Sequence, residues 1–384
     1  MVWAQNLKSP GVAHVTRDHF IAQQRTCEQN QLTVVWEGER PIAQFMEGPD
    51  FTGAAQPVLP PERAAIGPVS KADAGDRSVS LVICTRDRPA ELARCLASLS
   101  DQVRRPDEVL VVDNASRTDE TRQVCEAADV RYVREPRGGL DIARNTGARM
   151  STGDIIAYTD DDVILHPAWL QQIVQAFDAP DILAVTGLVL PAELATPAQW
   201  HFERYWGFGR GFERIDFEPS FLKVRKLDAA RVWDIGAGAN MAFRRETFSR
   251  AGLFDERLDV GAAGCSGDSE YWHRVLSVGG ICRYEPGAVA FHYHRREMEG
   301  LRSQIKAYMR GHAAALLVQH ERAPAFGILY RLIVVLPVSY ALRSLRRLRH
   351  GRRDVDLFTR EELTGLVSGI LFYLRTPRTS EKTP

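Results

Sequence analysis

From residue 78 onward, short apolar runs alternate with helix-patterned segments, and this alternation constrains the fold more than any other feature of the chain. The runs 79–84, 108–112, 130–133 and 155–158 are rich in Val and Ile, as strands buried inside a sheet are. Between them, 89–96 starts at Pro89, and 118–128 and 140–150 follow with helical spacing. Strand–helix–strand units of this kind join parallel neighbours through right-handed crossovers. The expected fold class is therefore α/β, with a Rossmann-like, mostly parallel central sheet and helices on both faces.

The flanking segments read differently. Residues 1–76 form an expected separate N-terminal region, with a β-hairpin over 31–45 that turns at 37–40 and a Pro/Ala/Gly-rich linker over 48–76. The main domain is expected over 77–322. Its second half predicts a strand over 183–190 and an aromatic-rich helix or loop over 200–212. A strand over 239–243 and a helix over 245–251 follow, then a helix over 269–278. Two short strands over 281–284 and 288–291 and a long helix over 297–320 complete it. A C-terminal helical extension occupies 323–384.

The 384 residues, 45% of them hydrophobic, suffice for a sizeable core. Lys+Arg and Asp+Glu balance at 49 each, so nothing global favours nucleic acid as a partner. The six cysteines show no CxxC pair and read as free thiols. With no basic-then-apolar start over 1–15, the expected location is cytoplasmic.

Chemistry concentrates at strand ends. Asp160, Asp161 and Asp162 directly follow the fourth run. Alone, such a cluster reads as a solvated turn. At the carboxyl end of a strand in an α/β sheet, where ligands bind, it reads instead as a site for a hard divalent cation, Mg²⁺ or Mn²⁺, carrying a phosphate compound. The first strand ends in Thr85 and Arg86, and the second in Asp113 and Asn114. The glycine pair Gly138 and Gly139 opens the helix that carries Arg144 and Asn145. Each motif alone also fits a cap or turn.

Together, in this order and context, these elements resemble the family 2 glycosyltransferases of the GT-A fold over about 79–296. The resemblance implies a nucleotide-sugar donor, most readily a UDP-sugar, bound by Thr85, Arg86, Asp113, Gly139, Arg144, Asp160 and Asp161. Asp113 would contact the base, with Thr85 lining its pocket, and Asp160 would approach the ribose. Asp162 would hold the metal, Arg144 would sit beside the acidic group, and His292 would complete the metal shell or touch the diphosphate. Asp268, at a helix start, matches the catalytic base of an inverting transfer. The Glu that commonly precedes it is here Gly267, which removes one carboxylate. Gly238 and Asn240 fall where the family places acceptor-side backbone. Tyr205, Trp206 and Trp233 read either as sugar-stacking rings or as core.

Residues 326–342 are apolar but interrupted by Arg331 and Pro337. Arg343, Arg346, Arg347, Arg349, Arg352 and Arg353 follow, and a second apolar stretch covers 366–374. This segment reads as peripheral contact with the inner face of the plasma membrane, or as a helical extension packed on the body or on a second subunit. The acceptor would be a carbohydrate or a lipid-linked compound. Two rival functions stay open: a sugar-phosphate nucleotidyltransferase, which would carry a glycine-rich loop where Thr85–Pro89 stands, and a non-catalytic carbohydrate-binding relative.

Overall fold

A computed structural model describes residues 10–22, 30–47, 77–223, 228–350 and 356–376. The expected linker 48–76, Cys27, Arg352 and Arg353 lie outside these residues. At the N-terminus, β1 (Val12–Thr16), α1 (Arg17–Ala22), β2 (Gln31–Glu37) and β3 (Arg40–Glu47) build a three-stranded sheet. β2 and β3 form the antiparallel hairpin that the alternation predicts, and β1 pairs parallel to β2. This region was expected to stand apart. Instead, Val12, Leu32, Val34 and Trp36 join the same core as the main sheet, because Trp36 stacks on His166 at 5.3 Å and His14 meets the edge of Phe291 at 5.4 Å.

The main body alternates as expected: β4 (Val79–Thr85), α2 (Pro89–Ala97), β5 (Glu108–Asn114), α3 (Glu120–Ala127), β6 (Arg131–Glu135), α4 (Leu140–Met150) and β7 (Ile155–Asp160). Along β4, Leu81 and Ile83 face one core, with Leu92 and Leu96 of α2. Val82 faces the other, with Ala143 of α4. This period of two, on strands apolar throughout, is what places helices on both faces. The chain continues through β8 (Val163–Leu165), α5 (Trp169–Gln175), β9 (Ile182–Pro191), α6 (Pro197–Trp206), β10 (Ile215–Phe217), β11 (Asn240–Arg244), α7 (Arg245–Ala251), α8 (Gly267–Ser277) and β12 (Ile281–His292).

The nine-stranded sheet has the order β10-β12-β9-β11-β7-β4-β5-β6, with β8 paired to β12. β7, β4, β5 and β6 are parallel throughout, and β11 runs antiparallel to both its neighbours. Parallel register sets Thr85 beside Asp113 and Cys84 beside Asp160, so three loops that carry the sequence motifs leave one edge together. The expected pair of short strands after 280 is a single strand, β12. Its register on β9 jumps from Glu285 to Val289, and this bulge absorbs Pro286 and Gly287 without ending the strand.

The C-terminal region is helical: α9 (Met298–Arg322), α10 (Phe326–Tyr330), a π turn (Arg331–Val335), α11 (Leu336–His350) and α12 (Thr359–Arg375). Pro337 lacks the N–H that would bond one turn back, and the wider turn just before it lets the helix continue. α12 lies tightly along α9, because Gly365 and Gly369 leave no side chain between them and the Lys306 and Arg310 carbonyls. We expect Gly369→Leu, which forces a side chain against that backbone, to destabilise the chain by roughly 1–3 kcal/mol. Urea unfolding measures this, and an unchanged midpoint would mean that the two helices do not pack as described.

Candidate active site

The acidic run stands at the end of β7, where it cannot spread into solvent: Asp161 and Asp162 are buried and Asp160 is half-buried. Burial and the neighbouring Asp162 push the Asp160 carboxyl up to about 6 and the Asp161 carboxyl up to about 7. Burial would raise Asp162 as well. His292 and Arg88 more than offset that and hold it well below the usual range. Arg88, at the start of α2, donates to Asp161 Oδ1 at 2.6 Å and to Asp162 Oδ2 at 2.8 Å, and the Thr85 hydroxyl donates to Asp161 Oδ2 at 2.7 Å. Arg88 was not singled out in the sequence, although it belongs to the loop that holds Thr85 and Arg86.

His292 reaches this cluster through β8, a three-residue strand that the sequence reading missed. β8 pairs Val163 with His292, and the Tyr293 N–H donates to the Asp162 carbonyl at 3.0 Å. Asp162 Oδ1 then lies 3.2 Å from His292 Nε2, yet it is buried and makes no aligned hydrogen bond. Ligand atoms of Asp160, Asp162 and His292 all fall within 4.8 Å of one another. A shared ion at roughly 2.1 Å from each donor needs them only slightly closer. Two carboxylates and one imidazole, with an orphaned buried oxygen between them, fit a divalent cation of the Mn²⁺ or Mg²⁺ kind.

The other face of His292 is fixed from behind. His292 Nδ1 lies 3.1 Å from His294 Nδ1, and His294 Nε2 lies 3.0 Å from Glu203 Oε2 on α6. A His294 that donates its Nε2–H to Glu203 has a lone pair at Nδ1. His292 must then carry its proton at Nδ1, which leaves Nε2 free to face the carboxylates. This chain selects the tautomer in which Nε2 could serve as a metal ligand. His292 and His294 share a face by strand alternation, as their spacing in the sequence implies, whereas Glu203 carried no sequence motif, since α6 is remote in the chain.

The second centre is built around Arg144. It lies near Asp160, but its ion pairs go elsewhere: 3.0 Å to Asp141 and 2.6 Å to Asp259, both buried. The cation bonded to the acidic run is thus Arg88, and Arg144 instead gathers carboxylates from α4 and from the loop before α8. Asp141 lies between Gly139 and Arg144 at the start of the same helix but was not singled out, and Asp259 has no local signature. Gly267 acquires a reason here, since a Cβ there would overlap the Asp141 carboxylate. The carboxylate absent at 267 is matched by one that arrives from α4. Asp141 is held well above the usual carboxylate range by burial and by Asp259.

Asp268 lies half-buried in the first turn of α8. Its Oδ2 accepts from the Gly238 N–H at 2.8 Å and its Oδ1 from the Ser269 N–H at 2.6 Å. Burial, and then Asp259, raise its carboxyl above the ordinary value, against the pull of Arg144. Asp160, Asp162, His292 and Asp268 line one cleft of about 1090 Å³, together with Thr85, Arg86, Gly139, Arg144 and Asp161. Tyr205, Trp206, Trp233 and Gly238 also line it.

Two expected residues do not face this space. Asp113 is fully buried and accepts from Tyr132, Arg134 and the Ser116 N–H, while Asn114 lines the cleft beside it. Asn240 is likewise buried, and it staples Trp169 to the Leu188 and Ala288 carbonyls.

Residues 80–251 match the family model described as glycosyl transferase family 2. The chain is similar to this family over that segment. It is 28% identical over 185 residues to the glucosyl-dolichyl phosphate glucuronosyltransferase of Haloferax volcanii, covering 46% of this chain and 56% of that protein. It is 27% identical over 248 residues to the pre-mycofactocin glycosyltransferase of Mycobacterium tuberculosis, covering 64% of this chain and 48% of that protein. The chain thus spans about half the length of each of these curated relatives. Its fold is that of the mannosyltransferase PcManGT from Pyrobaculum calidifontis, solved with GDP-Man and Mn²⁺. The two superpose with a TM-score of 0.53 at 18% identity, over 78% of this chain and 87% of the other.

We expect His294→Phe, which keeps a ring against Phe202 and Phe208 but removes the acceptor behind His292, to weaken Mn²⁺ binding by about 10–100-fold. Electron paramagnetic resonance of free Mn²⁺ reads this directly. Undiminished affinity would show that the histidine pair does not orient the ligand.

Proposed function

We propose that the chain is an inverting, metal-assisted glycosyltransferase that moves a sugar from a nucleoside diphosphate to an acceptor hydroxyl. The observation that carries this reading is the shared cleft: the Asp160–Asp162–His292 cluster and Asp268 face one volume large enough for a nucleotide-sugar and part of an acceptor. Asp160, Asp162 and His292 would hold the ion, for which the mixed oxygen and nitrogen donors suit Mn²⁺ at least as well as Mg²⁺. The ion, when bound, would stabilise charge on the departing diphosphate.

The protein's own groups supply the rest. Thr85, Arg86, Asn114 and Gly139 line the donor side, where a UDP-sugar is the first donor to try. Asp113 acts from beneath, bracing the wall through Tyr132 and Arg134. Arg88, which lines the same cleft while paired with Asp161 and Asp162, would help to offset the charge of the diphosphate. Asp268 takes the proton of the acceptor hydroxyl as that oxygen bonds to the anomeric carbon, while the carbon–phosphate-oxygen bond breaks on the opposite side. Its two backbone donors fix the carboxylate for this role, and Arg144 holds the surrounding negative charge together. Tyr205, Trp206 and Trp233 offer half-buried rings to the acceptor.

Two further points support the reading. Thr85-Arg86-Asp87-Arg88-Pro89 lacks the glycine-rich loop that a nucleotidyltransferase would need there. The described cysteines Cys84, Cys95, Cys125, Cys265 and Cys282 are free, which suits a reducing, cytoplasmic setting.

Asp268→Asn is expected to lower kcat by roughly 10²–10⁴-fold while Mn²⁺-dependent UDP binding stays intact. Calorimetry and a transfer assay separate the two, and equal turnover would remove Asp268 from the mechanism. The base must be unprotonated to act. Because its pKa is raised, the acid limb of kcat should lie above the pH at which an ordinary carboxylate loses its proton. A limb at the ordinary position would show that another group sets it.

A further inference from the structure

The cleft does not end at Asp268. It runs on past Trp233, His312 and Arg331 to Leu336, Tyr340 and Arg343, so its far wall is the helix formed by α10, the π turn and α11. That helix has two faces. Ile328, Leu332, Leu336 and Tyr340 are buried together with Met309 and Leu366. The opposite face leaves Ile333, Val338, Leu342 and Leu345 between 43% and 71% exposed. α12 repeats the pattern, with Val367 and Leu371 at 56% and 43%. Arg343 binds Glu362 at 2.7 Å and ties the two helices to each other.

By length and composition, the continuous helix Phe326–Arg347 would suffice to cross a bilayer. Its packing argues against that orientation. Arg331 is ion-paired to Asp228 at 2.9 Å, and the buried face is committed to the protein core. A helix held along one side by its own body can present only the other side, and it lies flat at an interface. Arg346, Arg347 and Arg349, all exposed, extend the same helix. Apolar side chains beside a cluster of arginines complement an anionic bilayer, where the chains enter the acyl boundary and the cations meet phosphate.

We propose that the exposed faces of α11 and α12 are a docking surface for an anionic lipid bilayer, which sets the far end of the cleft at the membrane. The inference rests on the proposed transferase reading for its purpose: an acceptor carried by that bilayer would reach Asp268 without leaving the interface.

The test is flotation of the full chain with two kinds of vesicle, phosphatidylcholine alone and phosphatidylcholine mixed with phosphatidylglycerol. The wild type should float with the mixed vesicles and release at high salt. The double variant Val338→Asp/Leu342→Asp should bind them about tenfold more weakly or less. Arg346→Glu/Arg347→Glu, which leaves every apolar contact in place, should lose the preference for phosphatidylglycerol. It carries the test if melting shows that the first variant is unfolded. Failure of the wild type to float, or flotation of both variants like the wild type, overturns the proposal. Self-association that Val338→Asp/Leu342→Asp abolishes, without vesicle binding, assigns the face to a second copy and overturns it too. A thermal shift with UDP and Mn²⁺ on the same samples keeps the readings apart. A shift without flotation removes the membrane surface alone, and flotation without a shift removes the transferase reading while the docking surface stands.

Discussion

Everything in the cleft depends on keeping buried negative charge together. Asp160, Asp161 and Asp162 at the end of β7, and Asp141, Asp259 and Asp268 around α4 and α8, would repel one another if left alone in a low-dielectric interior. Two arginines make the arrangement tolerable. Arg88 bridges Asp161 and Asp162, and Arg144 bridges Asp141 and Asp259. The first centre is left incompletely neutralised, with an orphaned oxygen at Asp162, and that residual demand for positive charge is what a cation would meet.

The scaffold delivers these groups with little backbone irregularity. Parallel register aligns the ends of β4, β5 and β7. The antiparallel β11 brings Gly238 toward Asp268, and the short β8 draws His292 across to Asp162. Two departures from regular geometry fall at the cleft. Ser266, just before α8, holds a left-handed φ of 74°, and Gly139, just before α4, has a φ of 149°. Helix starts therefore border the cleft from two sides.

The parallel half of the fold was legible because its strands are apolar throughout and its helices are amphipathic, both local patterns. The acidic run, Thr85, Gly139 and Asp268 were legible as residues of one cleft, because the order of strands and helices carries them to one edge. Less legible were contacts made by residues with no pattern of their own. Glu203 and His294 meet across the sequence distance from α6 to the end of β12, and Asp259 lies in an irregular loop. β8 is too short for periodicity to register, and the bulge in β12 looked like a break because Pro286 and Gly287 usually mark one. Asp113 and Asn240 occupy strand ends as their neighbours do, but a side chain's inward or outward turn is decided by partners such as Tyr132 and Trp169, which only the fold assembles. The N-terminal hairpin was visible from alternation, whereas its docking through Trp36 onto His166 is purely tertiary.

The contact between Gly267 and Asp141 has a wider consequence. Two positions distant in the chain compete for one small volume, so a bulky acidic residue at the first and a carboxylate at the second exclude each other. A search that demands adjacent acidic residues at the start of α8 would pass this chain over, although the same space holds an anion. What such a site conserves is then an occupancy rather than a letter, and paired exchanges between the two positions are the trace that relatives should show.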